Sequence, residues 1–336
     1  MKLLRALVFI PLLLAAPAFA YSAEPAGRFF SIGGLNGSAE GHEIEAEFGI
    51  IAVSTDGRSW KPVFRGGMVT KDFSHANNNL IRGIAYGKGR FVAVGNPGIG
   101  VLVSDDGESW KHVTKLGDRI DGFNVAYGNG AFVIARAGDM IRSEDGLAWT
   151  RHETPVEGRS TWGENGLGHM RQVAFGNGVF VCLGDLRIAT TRDGKAYEHV
   201  AFHTPSGRYE GRHSILFGGG KFLWLRSEGH QWSSDGIEWH PLVIDAEADE
   251  RARTTQATGA VWTGERFLIA GGKDTLYASA DGETWEKLAA PGYNRPVAAA
   301  GDLIVGKDQV SIDGGLRWER TAPGVPQREI VFLPGP

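Results

Sequence analysis

A short pattern that recurs seven times constrains the fold of this chain more than any other feature of its sequence. Each copy has a Ser or Thr, an Asp two residues later, a Gly directly after that Asp, and an aromatic residue three or four positions further on. The seven carboxylates are Asp56, Asp106, Asp145, Asp193, Asp235, Asp281 and Asp313. Similar segments at intervals of 32 to 50 residues are the signature of a repeat architecture.

A second pattern precedes most copies of the first and completes the repeating unit. In residues 84–95 an apolar triplet, a Gly-containing turn and a second apolar run follow one another, and the pattern returns at 125–135, 173–184, 215–225 and 260–271. Each unit is therefore predicted to contain four short strands. The first two strands are almost entirely apolar, so both of their faces are expected to be buried. Four-stranded units of this length, packed face to face in a ring, make a β-propeller.

The two ends of the sequence indicate how the ring closes. Residues 27–33 match the second strand of a unit, and the missing first strand is found at 328–333. The sequence thus predicts an all-β, seven-bladed β-propeller of four-stranded blades, closed by pairing of the C-terminal strand with the N-terminal blade. A solenoid is the alternative, but a solenoid needs polar capping repeats at its ends. We predict one domain over residues 21–336.

Residues 1–20 have the pattern of a secretory signal peptide. Lys2 and Arg5 precede an apolar stretch at 6–16, and Ala18-Phe19-Ala20 matches a cleavage site. The apolar stretch is too short to span a bilayer. We therefore predict an exported bacterial protein, periplasmic or secreted, with no membrane span after the signal is removed. The single Cys182 cannot form an internal disulfide and is expected to be a small buried apolar residue.

The recurring turn has a physical explanation in its residue types. The Ser hydroxyl and the Asp carboxylate accept hydrogen bonds from backbone N–H groups, and the Gly supplies a positive φ. The aromatic residue is large enough to hold the hairpin between neighbouring blades. We expect the seven carboxylates to be structural, and we predict neither a metal site nor a cofactor.

This turn resembles the Asp-box, or bacterial neuraminidase repeat, of sialidases and related propellers. The last copy, from Ser311 to Trp318, has the full family spacing, and the other six are one residue shorter before the aromatic residue. The resemblance implies a propeller of the sialidase-like superfamily. It leaves the activity open, because Asp-boxes occur in hydrolases, lyases, receptors and assembly factors.

The arrangement of arginines points to an anionic ligand. With 35 Lys and Arg against 39 Asp and Glu the net charge is −4, which argues against nucleic-acid binding. Aligning the residue that opens the innermost strand of each blade predicts a ring around the mouth of the central channel, made of Arg82, Phe123, Arg171, His213, Thr258, Arg295 and Arg328. Planar guanidinium groups suit a carboxylate, a sulfate or a phosphate. Alternatively, each arginine pairs with a neighbouring carboxylate, for which Asp121, Glu210 and Glu329 are candidates.

The leading functional hypothesis is a binding module for an acidic glycan or another carboxylated ligand. Its predicted contacts are Arg82, Arg171, Arg295 and Arg328, with Trp162 stacking on a sugar ring.

Two alternatives of a different class stay open. The first is a glycan-cleaving enzyme, which would resemble uronate lyases before sialidases because sialidase propellers usually have six blades. Its candidate catalytic residues are His213, Tyr209 and His169. The two histidines belong to a set of loop histidines that also includes His75, His203 and His230. The second is a protein-binding scaffold that resembles the propeller assembly factors of photosystem II.

Overall fold

The structure, a computed structural model, shows seven small antiparallel sheets. It describes residues 27–34, 49–66, 79–113, 122–136, 139–154, 170–202, 214–226, 229–245, 259–271, 275–290, 297–325 and 329–335. Within these ranges the chain forms 28 strands in seven four-stranded sheets. The predicted seven-bladed β-propeller is confirmed.

The first four blades follow one another along the chain, except that the first is completed by the last strand. Blade 1 contains β1 (Gly27–Gly34), β2 (Gly49–Ser54), β3 (Lys61–Gly66) and β28 (Glu329–Pro334). Blade 2 contains β4 (Ile81–Gly87), β5 (Arg90–Gly95), β6 (Val101–Ser104) and β7 (Lys111–His112). Blade 3 contains β8 (Ala126–Gly128), β9 (Ala131–Ala135), β10 (Asp139–Ser143) and β11 (Thr150–Glu153). Blade 4 contains β12 (Met170–Gly176), β13 (Val179–Gly184), β14 (Arg187–Thr191) and β15 (His199–Phe202).

The last three blades have the same strand order. Blade 5 contains β16 (Ser214–Gly218), β17 (Lys221–Leu225), β18 (Gln231–Ser233) and β19 (His240–Pro241). Blade 6 contains β20 (Ala260–Trp262), β21 (Phe267–Ala270), β22 (Thr275–Ser279) and β23 (Glu286–Ala289). Blade 7 contains β24 (Ala298–Ala300), β25 (Leu303–Val305), β26 (Gln309–Ser311) and β27 (Glu319–Arg320).

The innermost strands contact one another in a closed ring. The order around the axis is β28, β4, β8, β12, β16, β20 and β24, and β24 contacts β28 again. Within blade 1, β28 pairs antiparallel with β1, so that Ile330 lies opposite Ser31 and Phe332 opposite Phe29. The rings of Phe29 and Phe332 are 5.1 Å apart. The two ends of the chain therefore share one sheet, as predicted.

Aromatic side chains fill the space between blades. The second strand of blades 2 to 6 carries a fully buried phenylalanine at the same position: Phe91, Phe132, Phe180, Phe222 and Phe267. Trp110 packs against Phe30 of blade 1 as well as Phe91 of its own blade. Cys182 is fully buried in blade 4, and this burial raises the pKa of its thiol to about 12. Its predicted role as a small apolar core residue is confirmed.

The recurring turn, which we call the Asp turn, folds as its residue types predict. In blade 2 the Ser104 hydroxyl accepts the N–H of Gly107 at 2.8 Å. The Asp106 carboxylate accepts the N–H groups of Glu108 and Ser109 at 2.8 and 2.7 Å. Gly107 has a φ of 74°, a conformation that glycine adopts without a steric penalty. These bonds stabilise the tip of the hairpin from within.

Neighbouring blades are joined by side chains that reach from a Gly-containing hairpin to the next Asp turn. Arg90 of blade 2 donates to the carbonyl of Asp145 in blade 3, and Lys221 of blade 5 donates to the carbonyl of Asp281 in blade 6. Blades 3 and 4 have no cation at this position. There, Asn129 and Asn177, both with positive φ, donate to the Asp turn of the next blade instead. The Gly-containing hairpins and the Asp turns thus share one face of the disc, as predicted.

The substitution Ser104→Ala is expected to destabilise the fold by about 1–3 kcal/mol, because it leaves the buried N–H of Gly107 without its acceptor. Ser109→Ala in the same turn removes an exposed hydroxyl and is expected to cost no more than about 0.5 kcal/mol. Urea unfolding of the two variants measures the difference. Equal losses in both would contradict this role for Ser104.

Acid is expected to weaken the Asp turns. Hydrogen bonds from Ser109 and Glu108 hold the pKa of Asp106 well below its ordinary value of 3.8. A carboxylate whose pKa is depressed by folding stabilises the native state above its unfolded pKa, and this stabilisation is lost as the pH falls through the folded pKa. The free energy of unfolding should therefore decline below about pH 5. Asp106→Asn, which cannot ionise, should lose stability at neutral pH and show a shallower decline. Urea titrations at a series of pH values test this, and an unchanged slope would contradict it.

Candidate functional site

Two of the predicted arginines lie in β-bulges at the start of innermost strands. Between β4 and β5 the register shifts between Ile81 and Gly83, so Arg82 is an extra residue in β4. Between β12 and β13 the register shifts between Met170 and Gln172, which makes Arg171 the extra residue in β12. A bulge twists its strand locally and redirects a side chain that the regular pleat would aim elsewhere. Both bulges lie at the strand ends opposite the Asp turns.

The two bulged arginines converge on one aromatic ring from blade 3. The guanidinium carbon of Arg82 is 5.2 Å from the centroid of Phe123, and that of Arg171 is 5.1 Å from the same centroid. Guanidinium groups at this distance from a ring are attracted to its negative face. Three positions that the blade alignment predicted to be neighbours around the channel mouth are therefore brought together from blades 2, 3 and 4. We call this group the arginine mouth.

Each arginine of the mouth is oriented by the residue that follows the second strand of its blade. Arg82 donates from Nε to Oδ1 of Asn96 at 2.9 Å. Arg171 makes a two-bond ion pair with Asp185, in which Nε donates to Oδ1 and Nη2 donates to Oδ2, the latter at 3.0 Å. The side chain of Asp185 is 12% exposed, whereas that of Arg171 is 43% exposed. The pair thus has a buried acceptor and an accessible donor.

Neither Asn96 nor Asp185 was among the partners expected from the sequence for the arginines of the mouth. The partners expected from the sequence were Asp121, Glu210 and Glu329, of which Asp121 and Glu210 lie outside the described residues. A signal was present, because Asn96 and Asp185 each follow a Gly that ends a second strand and each lies 14 residues after its arginine. The 14-residue spacing can be recognised as meaningful only when the bulges at Arg82 and Arg171 are known.

Most of the remaining candidate residues lie outside the part of the chain that the structure describes. They are Arg295, Arg328, His213, Thr258, Trp162, Tyr209 and His169. The expected partners Asp121 and Glu210 lie outside it as well. His230, one of the loop histidines considered as a base, is buried and its Nδ1 accepts the backbone N–H of Arg226 at 3.2 Å. This ring nitrogen therefore accepts a hydrogen bond from the backbone of its own blade.

A further cation that the sequence did not single out lies where blades 3 and 4 meet. Arg187, at the start of β14, is fully buried with its guanidinium 5.3 Å from the ring of Tyr197. Both side chains reach across the seam to the carbonyl of Arg136, at 3.3 Å from Arg187 and 3.1 Å from Tyr197. Burial lowers the pKa of Arg187. Tyr197 occupies the position at which most Asp turns have Trp. Its hydroxyl donates a hydrogen bond to the neighbouring blade, which explains why a Tyr is found here.

The arginine mouth offers hydrogen-bond donors that carry positive charge. It is therefore suited to holding an anion. Across the described ranges, no group of three or more His, Cys, Asp or Glu side chains is arranged to hold a metal ion. The same ranges contain no helix that is long and apolar enough to cross a membrane.

Comparisons with known proteins support the fold. No protein-family model matches the chain, and no curated protein matches it significantly. A streptogramin B lyase structure is 10% identical with a TM-score of 0.55, covering 74% of this chain and 85% of that one. Apo AztD from Citrobacter koseri is 11% identical with a TM-score of 0.52, covering 92% and 98%. YCF48 bound to D1 peptide is 19% identical with a TM-score of 0.49, covering 80% and 87%. At these identities the likeness to the streptogramin B lyase and to AztD shows a shared fold alone. The chain is a β-propeller protein of seven blades.

The substitution Phe123→Leu removes the aromatic ring but keeps an apolar side chain at the centre of the mouth, and it is expected to lower the free energy of unfolding. Each cation–π contact is worth about 0.5–1 kcal/mol at a partly exposed site. In a double-mutant cycle with Arg82→Met, measured by urea unfolding, the coupling between the two positions should be of that size. Additive losses, with no coupling energy, would show that the ring does not stabilise the guanidinium.

Proposed function

We propose that this protein is an exported propeller that binds a carboxylated ligand, of the acidic-glycan class, at the arginine mouth. The observation that carries the proposal is the convergence of Arg82 and Arg171, from separate blades, on the ring of Phe123. Because both guanidinium carbons lie just over 5 Å from one centroid, they are at most about 10 Å apart. The Asp185 carboxylate offsets part of the repulsion between these two cations, and a bound anion would reduce it further.

The way the arginines are built into the fold supports a binding role. Both side chains are redirected by bulges, and bulges are over-represented next to functional sites. Each guanidinium donates from Nε to a fixed acceptor, which holds its plane in one orientation. A guanidinium that is oriented before the ligand arrives loses less conformational entropy when it binds a carboxylate.

Two further parts of the proposal concern the type of propeller and its location. The geometry of the Asp turns, with Ser and Asp accepting backbone N–H groups and the aromatic side chain packed between blades, supports placing the chain among the Asp-box propellers. The pattern of residues 1–20 supports export, to the periplasm or out of the cell. A periplasmic or secreted propeller would meet acidic glycans directly.

Thermal-shift measurements with acidic sugars test the proposal. Trigalacturonate and sialyllactose are the charged probes, and maltotriose and lactose are their neutral counterparts. Binding at about 100 times the dissociation constant stabilises a protein by about 2.7 kcal/mol, which corresponds to a rise of several degrees in Tm. Arg82→Ala should remove most of the rise, because a hydrogen bond to a charged group contributes about 1.5–3 kcal/mol.

A charge-matched variant separates the mouth from the net charge of the protein. Arg192 is an exposed arginine in the Asp turn of blade 4, on the opposite face of the disc. Arg192→Ala removes one positive charge, as Arg82→Ala does, and should leave the rise in Tm intact. If neither charged probe shifts the Tm, or if both variants reduce the shift equally, the proposal is wrong.

A further inference from the structure

One short turn in blade 4 holds two consecutive residues at the bulge of β12. Asp185 and Leu186 connect β13 to β14, and Arg187 is the first residue of β14. The Asp185 carboxylate pairs with the bulged Arg171. Arg187 contacts the residue before it in β12, because its Nε donates to Sδ of Met170 at 3.2 Å. The side chains on either side of Leu186 therefore hold neighbouring positions of the innermost strand.

The guanidinium of Arg187 also reaches across the seam to blade 3. Its Nη2 donates to the carbonyl of Arg136 at 3.3 Å, and the hydroxyl of Tyr197 donates to the same carbonyl. Arg136 is in turn held by Asp139, through its own backbone N–H at 3.0 Å and through an ion pair at 3.2 Å. A guanidinium is planar and its N–H groups point in fixed directions. Its contacts with Met170 and Arg136 therefore fix the start of β12 relative to blade 3.

Stability alone does not account for a cation as deeply buried as Arg187. Moving a charged group from water into a protein interior costs free energy, and replacing it by an apolar residue of similar volume is often neutral or stabilising. A buried charge can instead specify one arrangement of the elements that it contacts. The elements here are the bulged start of β12 and the neighbouring blade 3. Arg171 and Phe123, which come from these two elements, are in contact with each other.

We infer that Arg187 is a positioning residue for the arginine mouth. By holding Met170, it fixes the direction in which the next residue, Arg171, leaves the bulge toward Phe123. Loss of Arg187 would give the Arg171 side chain more conformational freedom, and a ligand would then have to order that side chain when it binds. The consequence for binding rests on the proposed function of the mouth.

Titration calorimetry with trigalacturonate tests this role. Arg187→Met replaces the guanidinium by an unbranched apolar side chain and should leave the midpoint of urea unfolding unchanged or raised. The same variant should bind about threefold to tenfold more weakly, which is the effect expected when one more long side chain must be ordered. The matched control is Arg142→Met, because Arg142 also reaches from blade 3 to blade 4, where it donates to the carbonyl of Asp193 in the Asp turn. This control should bind as the wild type does.

A double-mutant cycle separates positioning from the other effects of Arg187. Arg171→Met by itself should weaken binding at least as much as Arg187→Met does. In the Arg171→Met background, adding Arg187→Met should change the affinity by less than about twofold. An additive loss would show that Arg187 acts through its charge or through general loosening of the fold, and would overturn the inference. Unchanged binding by Arg171→Met would overturn it as well.

A second variant and a measurement without ligand keep the test independent of how well Arg187→Met folds. Met170→Leu removes the sulfur acceptor at similar volume and should weaken binding in the same direction. The Nε–H of Arg171, which donates to Asp185, should give an NMR signal that exchanges slowly with water and is lost in Arg171→Met. In Arg187→Met or Met170→Leu this exchange should be several-fold faster. An unchanged exchange rate in both variants would contradict the positioning role.

The outcomes distinguish this inference from the proposed function. If the wild type binds neither trigalacturonate nor sialyllactose, the proposed function is wrong, and the exchange rate of the Arg171 Nε–H decides the positioning role. If the wild type binds and depends on Arg82, but Arg187→Met and Met170→Leu bind equally well, the mouth binds anions and the inference alone is overturned. A loss in Arg187→Met that disappears in the Arg171→Met background supports both.

Discussion

Backbone hydrogen bonding between β28 and β1 is the interaction on which the whole ring depends. A strand at the edge of a sheet presents a row of unpaired N–H and C=O groups, and β1 would be such an edge without β28. The same pairing places β28 between the innermost strands β24 and β4, so one strand completes a blade and closes the circle. Closure then allows each blade to bury both faces against its neighbours. The almost wholly apolar second strands require this burial, which an open array would deny to the terminal blades.

The Asp turns let the ring tolerate blades of different length. Each turn satisfies its own backbone donors through a buried Ser or Thr hydroxyl and an Asp carboxylate, so its geometry does not depend on the loops elsewhere in the blade. The turns are also the points at which blades are fastened together on that face. In blades 3 and 4, which lack an Arg or Lys at the start of the second strand, Asn129 and Asn177 in left-handed turns donate to the next Asp turn. The loops on the opposite face of the disc can therefore differ between blades, and the arginine mouth lies on that face.

The mouth shows how a repeat fold builds a site that no single repeat contains. Its three central residues come from three blades, and each occupies the corresponding position of its own unit. The inward packing of the innermost strands brings these positions together, and the bulges turn two of the side chains toward the third. Equivalent positions can still carry different side chains, as Asn96 and Asp185 do beside the two arginines.

The sequence by itself determined the number of blades, the four strands in each, the internal structure of the Asp turns and the closure by the C-terminal strand. These follow from local residue patterns and from the requirement that every sheet edge be paired, and both can be read without coordinates. It also placed Arg82, Phe123 and Arg171 at equivalent positions, because repeats share one register. Only the tertiary structure showed that both arginines lie in bulges and that Asp185 makes a two-bond ion pair with Arg171. A bulge adds one residue to a strand without changing its composition, so its effect on side-chain direction appears only when two strands are paired. The burial of Arg187 against Tyr197 was likewise shown only by the structure, because it depends on how blades 3 and 4 pack against each other.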